Sequence, residues 1–196
     1  MSRFGQYVKR KSENIVTDVV HFQNRYITNQ IATEEFHLRQ QQQILEIDDV
    51  DKKLLALLCQ NARMQLVELA KHLGISAVAI ANRIRSLERK GVIAGYRANI
   101  DHSKLGYGYY KIFLNLSNPS AENLVAVKGY LKQQPLVLYI VEGIGFPGDI
   151  DFEMVAQSPL QLDDFMRKLR AAFPGIIADY TALLYTDILK VWYVPF

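Results

Sequence analysis

Residues 66–93 constrain this chain most. Leu66, Leu69, Ala70 and Leu73 recur at i, i+3, i+4 and i+7, the spacing of one buried helix face. Gly74 follows at once, where a left-handed residue ends such a helix. Ile75 is apolar and placed to pack beneath the turn. Ser76 is a good N-cap for a second helix. In that helix Ile80, Ile84 and Leu87 form a single stripe, and Gly91 ends it. Two helices joined by a tight glycine turn make a helix-turn-helix, whose second helix is built to lie in a DNA major groove. Its outer side carries Asn82, Arg83, Arg85, Arg89 and Lys90. A solvated basic face on an ordinary helical hairpin has the same pattern, so the hairpin alone does not decide the matter.

The charge distribution adds to the first reading. Residues 47–97 hold nine Lys/Arg against five Asp/Glu, residues 1–46 six against five, and residues 98–196 eight against ten. The basic excess lies on the segment with the hairpin, as a phosphate-facing module requires. The C-terminal half needs a different partner.

A chain of 196 residues, 49% hydrophobic and 22% charged, is globular and long enough for two small domains. No apolar run reaches the roughly 18 residues of a membrane span, and the start lacks the apolar stretch of a signal peptide. A cytoplasmic location is expected. The single cysteine, Cys59, sits in the apolar run LLALLCQ and is expected to be a small buried hydrophobe.

Residues 1–30 resemble the end of the chain. At an offset of 169, Phe4 falls on Phe173, Val8 on Ile177, Ile15 on Leu184, Thr17 on Thr186 and Asp18 on Asp187, without a gap. Val19 and Val20 fall on Ile188 and Leu189, so TDVV answers TDIL. This N-terminal stretch is expected to hold a strand, Ile15 to Phe22, that docks on a sheet edge. The alternative reading is an unrelated N-terminal strand with the same habit. Residues 31–46 read as a linker helix capped by Thr33, with Phe36, Ile44 and Leu45 free to seat on a partner. Residues 48–62 give a first helix with Val50, Leu54, Leu57 and Leu58 on one side. After Gly91 the alternation predicts a short strand or wing, from which Arg97 can reach phosphate.

From Tyr107 the period becomes two. Tyr110, Ile112, Leu114 and Leu116 alternate with Tyr109, Lys111, Phe113 and Asn115. A helix is predicted from Ala121, a strand over 136–144, a turn at Gly145-Phe146-Pro147-Gly148 and a returning strand. A second helix opens on Ser158 and Pro159, with Gln161 three residues past the cap. A final long strand or bent pair ends the chain. The order β-α-β-β-α-β is a ferredoxin-like arrangement. The expected fold class is therefore α+β: a winged helix-turn-helix over 47–98, a hinge over 99–106 and a ferredoxin-like domain over 107–196.

These features together resemble the Lrp/AsnC family of archaeal and bacterial transcription regulators. The resemblance rests on IDDVDKKLLALLCQNAR, the LAKHLGIS turn, NRIRSLERKGVIAGYRANID and a βαββαβ domain with a Gly…Asp turn between its middle strands. It covers residues 47–196. It implies double-stranded DNA as partner, a C-terminal domain that oligomerises as a homodimer or higher assembly, and a small-molecule effector, commonly an amino acid. On that footing the DNA-contacting candidates are Ser76, Ala77, Val78, Asn82, Arg83, Arg85 and Arg97. The effector candidates are Gly145, Gly148 and Asp149, the last because it closes the turn where an amine can be met. Two departures stand out. Ala77-Val78-Ala79 is poor in hydrogen-bond donors, which points base reading toward thymine methyls. The first 46 residues also exceed the usual family length.

No cofactor, resident metal or catalytic residue is expected. A metal would need the oxygens of Asp149, Asp151 and Glu153 to converge on one point, whereas alternate residues of a strand lie about 7 Å apart, so cross-strand pairing with Lys111 or an interface face is preferred. Two rival functions remain. One is a sensing or assembly module that does not read DNA. The other is an enzyme similar to the haem-pathway decarboxylases that resemble this family, which place His or Arg in the C-terminal domain. Here the only histidine after residue 97 is His102, ahead of the sheet.

Overall fold

The computed structural model describes residues 13–22, 24–28, 36–37 and 45–187. The Phe4 and Val8 matches, the Thr33 cap and the Ile188 and Leu189 end of the repeat lie outside these residues. The chain forms two compact units that divide, in mid-chain, between Ile100 and Asp101.

The helical unit contains α2 (Asp49–Gln60), α3 (Leu66–Leu73) and α4 (Ala77–Arg89). Asp48 caps α2, its Oδ1 accepting from the Asp51 N–H at 2.7 Å. Gly74 ends α3 at φ 69° and returns its N–H to the Ala70 carbonyl. A side chain at that φ would cost about 1 kcal/mol or more. Ser76 then caps α4 by accepting from the Ala79 N–H. Leu54, Leu55, Leu58, Leu69, Ile80 and Leu87 form the core, with Ile75, Ile84, Val92 and Ile93 packed against it. Cys59 falls outside that stripe and is exposed, contrary to expectation. It follows Leu58 by one residue, about 100° further round the helix.

The segment after α4 forms no strand over residues 92–100, where a short strand or wing was expected. Its first N–H groups are used locally: those of Val92 and Ile93 both donate to the Leu87 carbonyl. Tyr96 then donates its hydroxyl to Glu88 of α4 at 3.0 Å.

The second unit is one sheet of β1 (Ile15–His21), β2 (Phe36–His37), β3 (Gly108–Leu116), β4 (Val137–Ile144), β5 (Ile150–Ala156) and β6 (Ile177–Tyr185), in the order β2-β1-β4-β5-β3-β6. Its body is β3, β4, β5 and β6, with α5 (Ala121–Lys132) and α6 (Pro159–Ala172) between them in the chain. That is the ferredoxin-like βαββαβ order. Ile112, Leu114, Val127, Leu131, Ile140, Phe152, Met154 and Leu169 fill the helix side of the sheet. Ser158 caps α6 by accepting from the Gln161 N–H, and the Gln161 side chain turns back to the Gln157 N–H.

Two further strands precede the helical unit in the chain. β1 (Ile15–His21) runs antiparallel beside β4, with Val20 opposite Ile140 and Ile15 opposite Ile144. Val20 is 3% exposed and joins the main core. A short helix, α1 (Arg25–Thr28), follows. Its Arg25 is buried and donates to the carbonyls of Lys132, Gln134 and Val137, closing the C-terminal end of α5. β2 (Phe36–His37) pairs outside β1, so these residues are strand where a linker helix over 31–46 was expected. The backbone of β1 offers ladder partners that a helix there would forgo. The remainder of that stretch, up to Ile44, lies outside the described residues.

Candidate nucleic-acid interface

On α4, Val78, Asn82, Arg85 and Arg89 are all exposed. They are separated by four, three and four residues, which places them on one stripe. Val78 is 71% exposed, an apolar side chain at the leading end of a stripe that is otherwise polar and basic. Ser76 lies at the start of the stripe and Ala77 is partly covered. The first turn of α4 thus presents a methyl-rich surface, and its second and third turns present an amide and guanidinium groups. Arg85 Nη1 rests 3.4 Å from the Asn82 amide oxygen. Arg97 lies exposed in the segment after α4.

Arg83 is placed differently. Its Nη1 donates to Oδ2 of Asp48 and to Oδ1 of Asp51, each at 2.7 Å. The pair raises the guanidinium above its usual pKa, and the Asp51 N–H and Arg83 together hold the Asp48 carboxyl below the usual range. Expected among the DNA contacts, Arg83 instead ties α4 to the start of α2. Reaching a phosphate would mean giving up both carboxylates. The sequence carries three acids at 48–51, but nothing in it marks two of them as partners of Arg83.

The candidate effector turn is occupied from within the chain. The Asp149 carboxylate accepts from the Leu116 N–H at 2.8 Å, and its own N–H donates to Leu114. Gly148 packs so closely that an added Cβ would come 2.9 Å from the Leu114 nitrogen. Gly145 adopts φ 85°, and a Cβ there would meet the Glu13 carbonyl at 2.8 Å. With its nitrogen turned to the turn, the Asn14 amide donates to the Gly145 carbonyl. The expected trio is therefore together in space, but Asp149 serves as a lock between the turn and β3.

The sheet face opposite α5 and α6 carries charged groups among its tyrosines. Lys111 Nζ lies 2.9 Å from Asp151 and 3.2 Å from Glu153. The Asp151 side chain is 1% exposed, and burial pushes its carboxyl up despite the lysine. Tyr109 and Tyr185 both donate hydroxyls to Glu153, and burial, then Glu153, raises each phenol. At the neighbouring end of the face Tyr26 from α1 packs with Leu138 and Val155. Its hydroxyl meets His102 Nδ1 at 2.7 Å. The tyrosine participation was not visible beforehand, although the alternation of Tyr109, Lys111 and Phe113 had put them on one face.

A family model for the AsnC-type helix-turn-helix domain matches residues 47–88. The leucine-responsive regulatory protein of Rhizobium meliloti is 37% identical over 125 residues, covering 62% of this chain and 78% of that protein. The chain belongs to the Lrp/AsnC family of transcription regulators. The LrpA regulator of Pyrococcus horikoshii is similarly 40% identical over 99 residues, covering 50% of this chain and 69% of that one. Among solved structures, AsnC of E. coli superposes with a TM-score of 0.63 at 22% identity, covering 76% of this chain and 99% of that one. A regulator of Neisseria meningitidis in complex with L-Met gives a TM-score of 0.67 at 18% identity, covering 74% and 94%. These two likenesses establish the fold shared by Lrp/AsnC proteins: a helix-turn-helix region followed by an antiparallel sheet with helices. As a member, this chain is a DNA-binding transcription regulator.

Proposed function

We propose that this Lrp/AsnC regulator reads double-stranded DNA through the α4 stripe of Val78, Asn82 and Arg85, with Ser76 and Ala77 at its leading end and Arg97 on phosphate. The observation that carries the reading is the exposure of Val78 at the first turn of a helix whose opposite face is core. In a major groove that side chain meets thymine methyls, while Arg85 supplies phosphate or guanine contacts. Arg83 acts at one remove, by fixing the angle of α4 against α2. The test is a gel shift on fragmented genomic DNA with the parent and Val78→Ser. Selective retention by the parent supports base reading. Equal retention of every fragment by both would leave only a sequence-independent phosphate grip.

In this reading the regulator works in the cytoplasm as a homodimer, because two-fold symmetry suits a palindromic site. The open sheet face is the surface for that pairing. The effector is an amino acid, read as a signal and not as a substrate, and it meets the backbone of the Gly145–Gly148 turn. The L-Met complex of the Neisseria regulator and the name of the Rhizobium relative support this class of ligand. Calorimetric titration of L-leucine and L-methionine tests it directly. A heat of binding for either supports the class of ligand, and no binding of either contradicts it.

A further inference from the structure

The strand β1 is supernumerary. The βαββαβ body is complete without it, yet β1 covers the outer edge of β4 across register pairs from Ile15–Ile144 to His21–Tyr139. The edge is shaped for a visiting backbone. Gly143 and Gly145 leave room where any Cβ would strike the carbonyls of Ile15 and Glu13. Tyr26, a few residues on, also covers the start of the open sheet face, beside Leu138 and Val155. One short N-terminal segment thus covers an edge and a face together.

The same chain carries a second segment of this pattern. Leu184-Tyr185-Thr186-Asp187-Ile188-Leu189 answers Ile15-Val16-Thr17-Asp18-Val19-Val20. Within its own chain Leu184 and Tyr185 end β6, and β6 is separated from β4 by β3 and β5. The place of β1 beside β4 lies four strand spacings from β6, about 19 Å, whereas one residue step is about 3.8 Å. Thr186 directly after β6 cannot reach its own β4 edge. Only another copy can bring it there.

We propose that the β4 edge is a docking site for residues 186–189 of a second copy of this chain, and that β1 is an internal stand-in for that strand. Docked β1 and strand pairing between two copies then exclude each other. Release of the N-terminal segment opens the edge and the face at once, and so controls assembly. Main-chain hydrogen bonds would give the affinity of such strand addition, and the alternating side chains its register. The inference rests on the reading that two copies pair through the sheet unit.

The test is a disulfide trap in the full chain with Cys59→Ser. Val141→Cys combined with Ile188→Cys reports pairing between copies, because Val19, the counterpart of Ile188, sits opposite Val141. Val20→Asp releases β1 by placing a carboxylate in the core, and Arg25→Ala releases it independently by removing the α5 anchor. Both released forms should give at least tenfold more disulfide-linked pairs than the form with β1 docked. Equal trapping in docked and released forms, or none in released forms that sediment as dimers, overturns the proposal while leaving dimerisation intact. Monomers throughout would overturn both.

Discussion

Arg83 Nη1 donates to Oδ1 of Asp51 at 2.7 Å, joining the recognition helix to the helix that supports it. The contact separates two arginines that look alike in sequence. Arg83 holds the frame, whereas Arg85, two residues on, faces outward.

Arg83→Ala should therefore act through stability. Exposed pairs contribute about 0.2–1 kcal/mol each, and Asp51 is more sheltered than Asp48. Thermal unfolding should report a loss near the upper end of that range for the helical unit. The salt dependence of DNA binding should keep the parent slope. A slope shallower by a full unit would return Arg83 to the DNA face.

Arg25→Ala removes a buried guanidinium from three carbonyls at the end of α5. Hydrogen bonds to charged groups contribute about 1.5–3 kcal/mol, and the carbonyls left behind face the start of β4. Denaturant unfolding should show a loss of about 2–3 kcal/mol, with faster amide exchange over 15–21. A loss under 0.5 kcal/mol would mean that water replaces the side chain.

Acid should loosen the same segment. The His102 Nδ1 pairs with the Tyr26 hydroxyl, and burial lowers its pKa, partly offset by Asp101. A histidine harder to protonate when folded contributes stability that is complete above the unfolded value of about 6.5. That contribution is lost as the pH falls through it toward the folded value. Melting temperatures followed from pH 8 to 5 should fall more in the parent than in His102→Gln. Parallel curves would show that the histidine is not linked to folding.

Asp151 carries the opposite sign. Its carboxyl is pushed up by burial, so the folded state binds that proton more readily, and stability from this group grows as the pH falls through the raised value toward the ordinary carboxylate range. Relative to Asp151→Asn, the parent should gain in melting temperature on acidification from neutrality, measured in the same scans. A constant difference between the two would contradict the raised pKa.

The sequence was most legible where local chemistry decides. Gly74, Ser76, Ser158 and the Ile80–Leu87 stripe act within a few residues, and each does what its spacing implied. The alternation from Tyr110 to Leu116 likewise gave the buried side of β3. Partner choice over long separations was not legible. Nothing in the residues around Arg25 points to carbonyls more than 100 positions away. Nor does Asp149, read as a candidate for an amine, show in sequence that Leu116 will take its oxygen. The wing failed for a related reason: the alternation of 92–101 was real, but the helix end took its first N–H groups.

The account rests on α4 as the reading surface, and one titration tests it most directly. Fluorescence anisotropy of a genome-selected fragment is followed across a salt series for the parent and Arg85→Ala. The parent should lose affinity linearly in log salt, and Arg85→Ala should bind more weakly with a slope shallower by about one unit. Identical affinities and slopes for the two proteins would contradict the assignment of that face to DNA.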